Sequence, residues 1–198
     1  MLETMAPSFE RLGGHPALDF LNTLDERRSD APLERLPDYA TLVAFVRQAR
    51  LVPASDAARL AARAGGGAAR AAWKNALALR ECAYRVVAGR ASGQIPAKKD
   101  LDTLNRAFRS AAAHRLIQVR LRTTHWIWDR PTAPELPVWA LSAAIEDLLS
   151  HSPAERVRLC HAEDCGVVFV DTSKTGRRRW CSMSGCGNRH KVRRFRAR

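Results

Sequence analysis

No run of apolar residues in this chain approaches the roughly 18 needed to cross a membrane as a helix, so no transmembrane segment is expected. Between Met1 and Gly14 no basic stretch leads into an apolar one, so no signal peptide is expected, and the chain reads as cytoplasmic. Catalytic patterns are missing too. There is no GxSxG and no HExxH, and His15, His114, His125, His151 and His161 are scattered. No phosphate-cradling glycine loop, dinucleotide fingerprint or internal repeat occurs. These absences argue against an enzyme and against a nucleotide-binding fold. Cysteine is sparse, with five in 198 residues. From Thr172 onward aspartate and glutamate are absent altogether.

What cysteine there is clusters. Cys160 and Cys165 form one close pair, and Cys181 and Cys186 form another, with fifteen residues between the pairs. Two close pairs joined by a short arm are the spacing of a four-thiolate zinc site, although the knuckles are longer than usual. Two disulfides would need an oxidising compartment, which nothing in the chain suggests. His190, four residues after Cys186, is an alternative fourth ligand alongside three cysteines. Four cysteines fit a single closed, structural Zn²⁺, whereas a catalytic zinc keeps one position open for water. Cys82 lies in an apolar helical run and reads as an ordinary buried residue.

The charge around these cysteines is mostly positive. The formal net charge is +13, and residues 151–198 hold twelve basic and four acidic side chains. Ten basic residues fall between Thr172 and Arg198. Among them Arg177, Arg178, Arg179, Arg189, Lys191, Arg193, Arg194 and Arg196 are the candidate nucleic-acid contacts. Arginine dominates, and its planar fork suits phosphates and guanine edges. Trp180, Val192 and Phe195 interrupt the basic run, which distinguishes it from a solvated tail. A helix is expected from Ser184, with Val192 and Phe195 facing inward and Arg189, Arg193 and Arg196 sharing another face.

Cys186-Gly187-Asn188-Arg189 resembles the signature of the CGNR zinc finger, and Arg178-Arg179-Trp180-Cys181-Ser182-Met183 and Phe169-Val170-Asp171-Thr172-Ser173 are similar to that family as well. The resemblance covers about the last 45 residues. It implies a DNA-binding module of bacterial transcription regulators. In that family the finger follows a helical domain called ABATE, of stress-induced regulators. Leu18-Asp19-Phe20-Leu21-Asn22-Thr23 resembles the opening of that domain.

The residues before the finger read as mainly helical. A helix is expected over 16–28, with Leu18, Leu21 and Leu24 on one face and Asp19, Asn22, Thr23 and Arg27 as a polar stripe. That stripe has two readings, a solvated face or the lining of a small-molecule pocket. Further helices are expected over 38–50 with Asp38 as N-cap, to about Ala64 with Ser55 or Asp56 as cap, and over 68–91, 97–113 and 138–150. The β-branched and aromatic stretch at about 115–129 reads as a hairpin. The expected fold is therefore mainly α. A helical domain with one small hairpin spans 1–150, with a boundary at His151-Ser152-Pro153. A four-cysteine module, a β-hairpin knuckle plus helix, spans 154–198. Asn188 is expected to bond a cysteine sulfur or a turn, and Gly187 to relieve crowding at the second knuckle.

The reading that follows is a DNA-binding transcription regulator, with duplex DNA as the favoured partner. The helical domain is expected to sense a small-molecule ligand or to mediate assembly such as a homodimer. The alternatives are an RNA-binding or ribosome-associated basic zinc protein, and a zinc-stabilised protein-interaction module.

Overall fold

The computed structural model describes residues 8–151 and 154–196. Ser152-Pro153 of the expected boundary, and Arg198 of the basic tail, lie outside the described residues. The fold is mainly α, with seven α-helices among the described residues.

The first helix, α1, is Pro16–Leu21. His15 caps it, its ring Nδ1 accepting the Ala17 N–H at 3.2 Å, and Pro16 supplies a preset φ at the first turn. Expectation and structure part here, because the helix stops at Leu21 instead of running to residue 28. Asn22 and Thr23 carry short polar side chains that offer the backbone other partners. Thr23 Oγ1 donates to the Phe20 carbonyl at 2.7 Å, and the Asn22 amide is drawn to Val168. The chain turns into β1 (Leu24–Asp25), which pairs antiparallel with β2 (Leu33–Glu34), a second hairpin in this half of the chain.

Helix α2 is Tyr39–Gln48, and Asp38 Oδ1 accepts the Thr41 N–H at 2.7 Å, as the N-cap pattern predicts. For α3 (Ala54–Ala61) the cap differs from expectation. Pro53 holds the N-cap position in an extended conformation, and Asp56 lies inside the first turn, paired with Arg59. A carboxylate there still complements the helix dipole. The long helix α4 (Gly67–Ala91) is the central rod. Its apolar stripe through Ala72, Ala76, Leu79, Ala83, Val86 and Val87 is buried, and Cys82 is buried beside it. Helix α5 (Lys98–Ala112) leads to the hairpin of β3 (Arg115–Arg120) and β4 (Thr123–Trp128), and α6 (Leu136–Ser150) closes the layer.

The core gathers Leu18, Phe20 and Leu21 of α1, Leu42 and Phe45 of α2, and Leu136, Leu141 and Ile145 of α6, all 2% exposed or less. Each such side chain contributes about 1.5–3 kcal/mol on burial.

The cysteine module is welded onto this core. Strand β5 (Val157–Leu159) pairs antiparallel with β6 (Val168–Val170). Side chains alternate across a strand. Val168 and Val170 therefore join the helical core, while Phe169 between them points into a second cluster with the four cysteines. Backbone bonds reinforce the joint. Val170 N–H donates to Gly13 O at 2.8 Å, and the Arg27 and Arg28 N–H groups donate to Cys165 O and Asp164 O, each at 3.2 Å. Tyr84 Oη donates to Gly166 O at 2.7 Å. Gly166 has φ +76°, and a Cβ there would lie 3.0 Å from Arg27 Cβ, so the close approach requires glycine.

Candidate metal centre and basic surface

The β5–β6 hairpin presents Cys160 at the end of one strand, and Cys165 returns on the turn before the other. Cys160 N–H donates to Val167 O at 2.8 Å, fixing the knuckle. A loop then brings Cys181 back. A π-type turn over Met183–Gly187 carries Cys186 and opens directly into the last helix, α7 (Asn188–Arg196). Ser182 caps that turn, its Oγ accepting the Gly185 N–H at 3.2 Å. A Cβ on Gly187 would meet Met183 Sδ at 3.0 Å, which accounts for the small residue expected to relieve the second knuckle.

All four thiols are buried, and their sulfurs lie within 4.8 Å of one another. Cys165 to Cys181 is 3.7 Å, and Cys181 to Cys186 is 3.6 Å. A tetrahedron with Zn–S of about 2.3 Å has an edge of about 3.8 Å, so the spacing suits a four-thiolate zinc. The four cysteines are positioned to bind one zinc ion. Without a cation these thiols compete for protons. Cys165 and Cys181 donate toward Cys160 and hold its thiol well below the ordinary range, while Cys160 and Cys165 drive the Cys181 thiol well above it. A divalent cation removes that conflict by binding all four as thiolates. His190 is otherwise engaged, its ring 4.7 Å from that of Trp180.

The sulfurs have a positive surround. Arg189 Nη2 donates to Cys186 Sγ at 3.1 Å, and the thiol proximity in turn raises the guanidinium pKa. The contact expected from Asn188 is thus made by its neighbour, because Asn188 begins α7 and is exposed. The N-terminus of α7 also lies next to Cys186, and its dipole favours negative sulfur.

Arg178 turns inward in the same way. Its side chain donates to the carbonyls of Trp180 and Cys181 and stacks 4.6 Å from the Phe169 ring centroid. Its N–H donates to Asp171, whose carboxylate also accepts the Ser173 N–H at 2.9 Å. The Ser173 side chain and these N–H groups hold the Asp171 carboxyl down to about 2.

The candidate basic residues separate into two sets. Arg178, Arg189 and Arg193 have internal partners, the last two pairing with Glu26, Glu163 and Asp164. Arg177, Arg179, Lys191, Arg194 and Arg196 are exposed and form no ion pair among the described residues. Val192 and Phe195 do not face inward as expected. They are 42% and 82% exposed, because α7 leaves the module with only its first turn and its arginine face in contact.

The polar residues proposed for a pocket also separate. Asp19, Asn22 and Thr23 border one cleft of about 590 Å³, together with Phe9, Pro37 and Val167. Arg27 lies apart from it, paired with Glu81, donating to Leu21 O at 3.0 Å and stacked 3.8 Å from the Tyr84 ring centroid. Glu81 in turn reaches Arg80, which is 3% exposed and grips Glu34 with both nitrogens at 2.8 and 2.6 Å. Burial works against the Glu81 charge, but Arg27 and Arg80 outweigh it and lower the pKa. Sequence reading missed this network, since an arginine inside a helical run looks like any surface cation.

No described helix is long and apolar enough to cross a membrane. No curated protein matches the chain. Residues 156–198 match the CGNR zinc finger family. Residues 14–152 match the ABATE family, described as "putative stress-induced transcription regulator". With the larger match covering well over half of the sequence, the chain belongs to the ABATE family and carries a CGNR zinc finger behind that domain.

Proposed function

We propose that this chain is a transcription regulator that holds duplex DNA with its zinc-braced basic end. The observation that carries the reading is the exposed set Arg177, Arg179, Lys191, Arg194 and Arg196, free of internal ion pairs among the described residues. Positive charge left without an internal partner is available to phosphates. The partnered set has a different task. Arg178 and Arg189 brace the thiolate cluster, and Arg193 ties α7 to the first knuckle. Zinc would hold the Arg177–Arg179 loop and α7 at a fixed separation, since Cys181 and Cys186 lie between them. Loop contacts then position the duplex, and α7 supplies any reading of base edges. The family description, a transcription regulator, agrees with this assignment. The test is recovery of bound sequences from a random duplex library by the zinc-loaded full chain, followed by competition with structured RNA. An enriched motif that unlabelled duplex displaces better than RNA is the expected result. Preferential displacement by RNA would overturn the DNA assignment.

A further inference from the structure

The cleft bordered by Asp19 is built before any ligand arrives. Its outer wall, the chain around Phe9, is pinned by Gln48, which accepts the Phe9 N–H at 3.1 Å and donates to the Phe9 carbonyl at 2.7 Å. The Phe9 ring meets Phe45 edge-on at 5.2 Å. Val167, the residue before Val168, also lines the cleft.

The lining is acidic in a protein that is otherwise strongly basic. Glu10, Asp19, Asp25 and Glu34 border the cleft, with Arg35 as the lining cation. Arg35 pairs with Asp25 at 2.8 Å, and Arg80 holds Glu34 from behind. Glu10 and Asp19 remain uncompensated by an ion pair among the described residues. Asp19 is only 7% exposed. Its Oδ1 accepts the Gly13 N–H at 2.8 Å, while Oδ2 has no partner among the described residues. Burial raises this carboxyl, against the Gly13 N–H and the charges of Arg11 and His15. A carboxylate oxygen of a largely buried residue that stays open to a cleft is met best by a cationic donor.

Among the described residues no three ligating side chains of the cleft come close enough together to hold a metal ion. The cleft is instead wide, with Phe9, Leu12, Pro37 and Val167 offering apolar surface. We propose that this cleft is a binding site for a small organic cation, an amine with an apolar body, whose ammonium pairs with Asp19. Asn22 and Thr23 serve as wall, since their polar atoms are already used by Val168, Phe20 and Arg80. Amine binding requires no DNA, so it stands or falls apart from the DNA assignment.

The experiment titrates phenethylamine into the zinc-loaded full chain and follows backbone amide shifts. 2-Phenylethanol and 3-phenylpropionate serve as neutral and anionic matches. Saturable shifts at Gly13, Asp19 and Val167 are expected with the amine, and binding of the alcohol should be about ten-fold weaker or less. Asp19→Asn keeps an oxygen for the Gly13 N–H and should lose about ten-fold in amine affinity with its amide spectrum still dispersed. Glu10→Lys, at the exposed rim, should weaken the amine and improve the propionate. Absence of saturable shifts with the amine, equal binding of the three compounds, or an affinity unchanged in both variants would overturn the assignment.

Discussion

The side chain of Asn22 does for Val168 what a neighbouring strand would do: its amide donates to the Val168 carbonyl at 2.9 Å and its oxygen accepts the Val168 N–H at 3.0 Å. Strand β6 pairs with β5 on one edge, and this amide covers the other. A helix-capping residue near the start of the chain thereby fixes the strand that carries Phe169 into the thiol cluster.

Asn22→Ala should therefore destabilise the chain by about 1–3 kcal/mol, because two backbone groups lose their partners at once. Denaturant melts of the zinc-loaded protein measure the loss. Amide exchange at Val168 should accelerate in the same variant. Unchanged stability with unchanged exchange would show that the clamp is incidental.

Zinc removal should reach beyond the finger. Val157, Val168 and Val170 belong to the helical core, so a module that loosens also uncovers core surface. With zinc the chain should unfold in one transition, and a strong chelator should lower the midpoint of the whole transition. X-ray absorption should show sulfur alone in the first shell at about 2.3 Å. A nitrogen in that shell would overturn the four-cysteine site. A chelated protein that melts unchanged would overturn its structural role.

The parts of this arrangement that follow local rules were legible in the sequence. The cysteine pairs, the Asp38 cap, the long apolar stripe of α4 and the β-branched hairpin after Arg115 each announce themselves within a few residues. What was hidden depends on distant partners. The end of α1 at Leu21 is only partly local, since the partner that draws Asn22 out of the helix, Val168, is 146 residues from it. The helical face of Arg189 and Arg193 read as a free cationic surface because Glu26, Glu163 and Asp164 come from other segments. Val192 and Phe195 have helical spacing, yet no element packs over them among the described residues, so periodicity alone predicted an inward face that does not form.

A pH-dependent contribution is expected from Asp100, in the first turn of α5. Arg85 bonds its carboxylate, with Nε donating at 3.0 Å, and lowers its pKa against the effect of burial. A depressed folded pKa gives stability that is present above the unfolded value of about 3.9 and is lost as pH falls through the folded value. Wild type should thus exceed Asp100→Asn in stability near neutrality, and the gap should close below about pH 4. Taking the difference between the two proteins cancels acid release of zinc, which both share. A gap that is constant from neutral to acid pH would rule out the carboxylate charge as its source.

The basic surface makes the most discriminating prediction. If duplex DNA neutralises roughly 4–6 phosphates on this surface, log affinity should fall with log salt at a slope of about −4 to −5. Replacing exposed Arg177 and Arg179 together with alanine should flatten the slope by about 2 and weaken all sequences alike, with zinc content intact. Arg178→Ala should behave differently. It removes donors to the Trp180 and Cys181 carbonyls, so zinc retention should suffer along with DNA binding. Arg193 pairs with Glu163 and Asp164 while remaining exposed. Glu163→Gln releases part of that hold and should raise duplex affinity at low salt, whereas a charge with no link to DNA would leave it unchanged. Duplex binding measured from low to physiological salt, with zinc confirmed for each variant, separates these cases. A slope insensitive to Arg177 and Arg179, or no duplex binding at low salt, would assign the exposed arginines to another partner.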